Sequence, residues 1–237
     1  MTDIFDGPAS PLRKFRAFSL SHLLAASAAL VAIALIVVFR LPIRGGAADP
    51  ILRWAMAGIL ILNEVGLAIW RLRHGLLSIQ ESLPLHLCGV SVILVAIMLP
   101  LKSYGIFELT YFWAVGGALQ GLITPDVEGY DFPHWRFLQT FISHGLIVVA
   151  NLYMIVVLGM RPTFISLLKS LVVLNIYGVL ALGFNAVTKS NYGFLCRKPD
   201  QPTLYDVLGP WPWYLASLEG LAILISLIVY LPFLIFR

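Results

Sequence analysis

Charge is scarce in this chain. Of its 237 residues 12% are Asp, Glu, Lys or Arg, where globular domains usually carry about 25%. The basic residues are scattered at the ends of apolar runs and form no basic face, so the net charge of +4 does not point to nucleic acid. Cysteine is scarcer still. Cys88 and Cys196 make neither a disulfide framework nor a Cys-x-x-Cys site. The five histidines lack the HExxH and Cys/His spacings of zinc sites. Asp126, Glu128 and Asp131 crowd one turn but do not follow a calcium-loop pattern. No metal and no cofactor is therefore expected. A cleavable signal peptide is also not evident: Arg13, Lys14 and Arg16 precede an apolar run long enough to span, with no small-residue cleavage site after it.

What the chain does have is apolar sequence, 59% of residues with a mean hydropathy of +0.89. That is more than one soluble core holds. Leu23–Phe39 and Leu221–Phe236 each run for roughly a membrane thickness without a charge. The fold class is all-α, a polytopic transmembrane bundle of about seven spans. The spans are expected over residues 18–39, 51–70, 84–101, 104–123, 134–159, 163–187 and 210–237, each long enough to cross about 30 Å. Residues 1–17, with Pro8 and Pro11, read as a mobile arm, and 18–237 as a single membrane domain. Alternating spans put the N-terminus on the same side as three loops, 71–83, 124–133 and 188–209. That side holds nine basic residues against seven on the other, a narrow preference for a cytoplasmic N-terminus. The cations as a group read as boundary residues facing headgroups.

Polar chemistry is far more one-sided than charge. Glu81 to Cys88, Gln120 to His134, Asn185 to Pro199 and Gly209 to Tyr214 all fall on the N-terminal side by parity. One polar, proline- and glycine-rich face is what a pocket mouth there requires. Glu64 and Glu219 sit inside spans, where an ionisable group usually faces a cavity or a partner. The plainer reading is a headgroup-depth carboxylate. His144 shares a helix face with Phe141, Val148 and Asn151. It is either a general base or a histidine bonded to a neighbouring helix. Cys88 falls in the first turn of the third span, where unpaired amides favour a thiolate; otherwise it is a small buried apolar residue. His86, two residues earlier, would point away from Cys88 on an unbroken helix. Trp211, Trp213 and Tyr214 read most simply as an interfacial belt.

Leu83-Pro84-Leu85-His86-Leu87-Cys88, Gly117-Ala118-Leu119-Gln120, Thr124-Pro125-Asp126, Phe141-Ile142-Ser143-His144-Gly145, Asn191-Tyr192-Gly193-Phe194-Leu195 and Gly209-Pro210-Trp211-Pro212-Trp213-Tyr214 together resemble the YwaF-type bacterial integral membrane proteins. The likeness covers most of the chain from the second span onward and implies a multi-pass protein of the bacterial inner membrane. Distant eukaryotic relatives of that family look like acyltransferases that move fatty acyl chains between glycerophospholipids with a cysteine and a histidine. The histidine is similar in context to His144. The Pro-Cys-His motif of those relatives stands here as Pro84-Leu85-His86, with Cys88 one helical turn further on.

The leading expectation is thus a lipid-active membrane enzyme for acyl transfer or acyl-ester cleavage, with membrane phospholipid as substrate. His144 would activate Cys88 or a water, and His86, Gln120 or Asn185 would steady the oxyanion or headgroup. Asp126, Glu64, Asn191, Tyr192 and Glu219 complete the candidate binding residues. A small-solute transporter and a non-catalytic membrane partner are the rival classes.

Overall fold

The computed structural model describes residues 4–7, 15–199 and 204–235. Expectations resting on Pro8, Pro11, Arg13, Lys14 and Arg237 lie outside them. The described chain is helical: α1 (Leu20–Val38), a single turn α2 (Arg40–Ile43), α3 (Ala48–Arg73), α4 (Leu87–Leu101), α5 (Tyr104–Ile123), α6 (Trp135–Val156), α7 (Phe164–Thr188) and α8 (Trp213–Ile235). Polar residues set the starts. Ser19 and Ser103 accept from the amides of His22 and Ile106, and Thr163 and Ser166 form a reciprocal capping box. Lys102, in the left-handed conformation, ends α4 so that α5 can begin after Ser103.

Among the described residues six helices are long and apolar enough to cross a membrane. The seventh, α4, has 15 residues and reaches only about 22 Å. This corrects the span expected from Pro84, because Pro84, Leu85 and His86 stay out of the helix.

Burial sorts the bundle into a centre and a periphery. Of the most apolar stretches, 61% of α5 and 67% of α6 is buried, against 11% of α1 and of α8. Phe107 and Phe112 of α5 and Ile147, Tyr153 and Met154 of α6 are fully buried in one core cluster. Around them, α1, α7 and α8 turn apolar surface outward to lipid. Polar side chains bind the centre where hydrocarbon offers no partner. Thr110 donates to Asn151 across α5 and α6 at 3.0 Å, and the Asn63 amide donates to the Gln139 carbonyl and to Ser143. Asn151 is therefore occupied in packing. His22 pins α1: its Nε2–H donates to the Leu122 carbonyl at 2.8 Å while Nδ1 accepts from the Phe18 amide.

Two cations expected at the membrane boundary are buried instead. Arg53 is 4% and Arg136 6% exposed. Arg53 donates to the last carbonyls of α4, Leu99 and Pro100, and pairs with Asp49 one turn away. A helix C-terminus leaves such carbonyls unpaired, and a guanidinium satisfies them. Arg44 does the same for α6, at the Val156 and Val157 carbonyls.

On the opposite face the N-terminal residues lie against the bundle. The Ile4 carbonyl accepts from the Trp135 amide, Phe5 from the Trp70 indole, and Phe15 donates to the Gly129 carbonyl. Ile4, Phe5 and Phe15 thus lie on the side of the end of α3 and the α5–α6 turn.

Candidate active site

The site starts from the short helix. Since α4 has five residues fewer than α5, with which it shares the far end, its N-terminus is sunk about 7 Å below the end of α5. Irregular backbone at that depth is tolerated only where protein covers it or a cavity is lined. Here tertiary contacts hold residues 83–86. Tyr177 of α7 donates to the Leu85 carbonyl at 2.7 Å, and the Tyr192 hydroxyl accepts from the Leu83 amide while donating to the Ile79 carbonyl. Pro84 folds back over the first turn, where a Cβ on Gly89 would come within 2.9 Å of its Cα. His86 is the extended N-cap, and its side chain caps nothing. Among the described residues no group accepts from the amides of Leu87, Cys88 or Gly89. An uncapped helix N-terminus with a thiol in its first turn favours negative charge on that thiol and beside it.

His144 meets this thiol from α6. Cys88 lies 13 residues before the far end of α4 and His144 12 residues before that of α6, so they share a depth. Both side chains line the same cavity, close enough for thiol and imidazole to interact. The ring's Nδ1 lies 2.8 Å from the Thr140 carbonyl, which can only accept, so Nδ1 carries the proton. Nε2 is left as the basic nitrogen facing the thiol. A helix-anchored histidine with a fixed tautomer next to a thiol is the arrangement a general base needs.

Room for the ring comes from α5. A Cβ on Gly121 would land on the Cδ2–Nε2 edge of His144. Gly121→Ala should therefore displace the imidazole from both Thr140 and Cys88. Any activity that depends on the pair is expected to fall about a hundredfold, the scale of a misplacement near 1 Å, while thermal unfolding changes little. An unchanged rate would contradict this geometry.

The pair opens onto a cavity of about 480 Å³. Its lining runs along α5 from Phe112 to Thr124 and along α7 from Ser170 to Leu182, so it is about 18 Å long. Gly116, Gly117 and Gly121 keep the α5 wall free of side chains. One end is polar, with His86, Gln120, Thr124 and Asp126; the other is walled by Phe112, Trp113, Leu171, Leu174 and Ile225. That is the size and polarity of a ligand site with a few placed polar groups, and its shape suits one extended hydrocarbon chain.

His86 lies 5.1 Å from the ring of Tyr192 and 5.0 Å from that of Phe194. Burial, reinforced by the Arg71 charge, lowers its pKa to about 4. The unfolded chain would take up this proton near pH 6.5. Stability linked to His86 is therefore full above pH 6.5 and is lost as pH falls from there towards 4. Between pH 7 and pH 5 the share is about 2 kcal/mol. His86→Gln should make unfolding in detergent correspondingly less acid-sensitive than wild type; identical pH dependence would count against a buried neutral imidazole.

Of the residues singled out in the sequence, His86, Cys88, Gln120, Asp126, His144 and Glu219 line this cavity. His86 and Cys88 can both do so because the helix begins between them. Four others lie outside it. Asn185 accepts from the Tyr192 amide and Ser190, Asn191 closes a turn with Cys196 and Arg197, and Tyr192 clamps residues 79–83. Glu64 faces the charges of Arg71 and Arg136. The three acidic turn residues part company: Asp126 accepts from the Glu128 amide, Glu128 pairs with Arg136 at 2.8 Å, and Asp131 accepts from Ser21. Thr140, Gly121 and Tyr177 were not singled out. The one sequence signal was the glycine pair Gly117 and Gly121, four apart on one helix face.

Fold and cavity define a multi-pass helical membrane protein that encloses a cysteine–histidine pair within the bundle. A model of the TMEM164 family matches residues 17–230, and the chain belongs to that family. No curated protein and no solved structure matches it.

Proposed function

We propose that this protein is a lipid-active acyl-transfer enzyme of the bacterial inner membrane, with Cys88 as nucleophile and His144 as general base. The observation that supports it most is the Cys88–His144 pair at an uncapped, sunken helix N-terminus, opening onto an apolar slot. The likeness to the acyl-moving eukaryotic relatives points the same way. In this reading a phospholipid acyl chain lies in the slot with its ester carbonyl beside Cys88.

His144 Nε2 takes the thiol proton as sulfur attacks the carbonyl carbon. The tetrahedral oxyanion is met by the free amides of Cys88 and Gly89, with the Gln120 amide as a further donor. Collapse breaks the ester C–O bond, and the leaving alkoxide receives the proton from His144. An acceptor hydroxyl, or water, then attacks the thioester along the reverse path and restores the thiol.

The test is acyl exchange in vesicles. Purified protein with phosphatidylcholine labelled in one acyl chain and an unlabelled lysophospholipid should move label to the acceptor, or release it as free acid. No movement of label to either product, with folding intact, would refute the assignment.

A further inference from the structure

The slot does not close on its α7–α8 side. Both helices pack chiefly on α5 and meet each other along a short seam. Val179 and Leu182 of α7 line the slot yet are 69% and 38% exposed, so its wall is continuous with the lipid-facing surface. One side-chain hydrogen bond crosses the seam among the described residues, from Asn175 Nδ2 to Glu219 Oε1 at 3.0 Å. Glu219 lies six residues into α8, about 9 Å from its start, where lipid supplies no partner. Asn175 spends its amide on Glu219 and on the Leu171 carbonyl. Nothing among the described residues donates to Glu219 Oε2 or to Asn175 Oδ1. The pair thus presents hydrogen-bond acceptors to the slot, and acceptors recognise a donor.

We propose that the α7–α8 seam is a lateral entrance from the bilayer, and that Glu219 with Asn175 forms an accepting subsite there for a lipid bearing a free hydroxyl. The chain of that lipid lies in the slot and its hydroxyl donates to the carboxylate. This rests on the acyl-transfer reading only in taking the slot as the seat of an acyl chain. A carboxylate on an otherwise apolar seam leaves lipids without a donor facing an unpaired acceptor, which is how a site selects against them.

The test uses the His144→Ala, Cys196→Ser protein in phosphatidylcholine vesicles, so that binding is read without turnover. The vesicles carry a trace of a photoactivatable monoacylglycerol, or the same lipid with both hydroxyls methylated, and crosslinks to α7 and α8 are read by peptide mass spectrometry. The hydroxyl lipid should label about tenfold more, the scale of one hydrogen bond to a charged acceptor. Glu219→Leu with Asn175→Leu should abolish that preference without reducing capture of the methylated lipid; Glu219→Leu alone, which removes the accepting carboxylate, serves if the double variant fails to fold. Val179→Trp with Ala222→Trp, the latter at a slot-lining position of α8, should cut labelling by both lipids about tenfold, while alkylation of Cys88 by water-soluble iodoacetamide continues at the parental rate. Equal labelling by the two lipids in the parent protein would overturn the subsite. Undiminished labelling in the tryptophan pair would overturn the entrance.

Discussion

Alanine at Cys88 should abolish acyl exchange, by about a thousandfold or more, with the helical fold and its unfolding temperature nearly unchanged. The size follows from what covalent catalysis supplies: without the sulfur, the remaining donors can bind the ester but cannot split the reaction into two easier steps. The fold should tolerate the change because Cys88 lies in the first turn of α4, is only partly buried and lines the cavity, so removing its sulfur enlarges an existing space. His144→Ala should cost about as much, and the double variant little more than either alone, since the two side chains act as one unit. Additive losses would mean that cysteine and histidine serve separate steps. Exchange assays on the three variants, normalised to folded protein by circular dichroism, decide the matter.

Removing the Arg53 side chain should have the largest effect on stability, about 3–5 kcal/mol. Three groups depend on it. Asp49 loses both guanidinium contacts and keeps Lys102 at 3.3 Å and the Tyr153 hydroxyl at 2.7 Å, and the Leu99 and Pro100 carbonyls lose their donor. Asp49 and Leu99 are buried, where a lost partner is poorly replaced by water. Because α4 hangs between this clamp and the fold-back at Pro84, slackening it should also shift Cys88 relative to His144. Arg53→Ala is therefore expected to lower both the unfolding midpoint in mixed micelles and the exchange rate. Asp49→Asn with Arg53→Met should recover part of the stability by removing the stranded charge. A loss below about 1 kcal/mol in Arg53→Ala would show that the clamp is not what holds α4.

The bundle was legible because its spans are continuous apolar runs ended by capping residues. Ser103 and Thr163 mark helix starts in the sequence as plainly as in space. The shortened α4 was not legible. Nothing local forbids a helix from Pro84, and what refuses it is the Pro84–Gly89 approach and the Tyr177 hydroxyl on Leu85, both set by tertiary packing. The same limit explains Arg53. In one dimension an arginine near a span end looks like a headgroup contact; only the adjacent end of α4 makes it a buried cap. At the cavity, His144, Cys88 and Gln120 could be found because polar residues inside spans are costly and therefore few. Asn185 and Tyr192 could not be told from binding residues, since a polar side chain that folds a loop and one that meets a ligand read alike. Gly121 was hidden for the opposite reason: its contribution is the absence of a Cβ beside His144.

The most direct test of the central claim is the mass of the protein caught in mid-reaction. After brief incubation with a short-chain diacyl phospholipid and acid quenching, intact-mass and peptide spectra should show one acyl group on Cys88. Neutral hydroxylamine should release it, as it does a thioester, and His144→Ala should lack it. Acyl exchange that proceeds with no adduct on Cys88, or that survives in Cys88→Ala, would contradict the account.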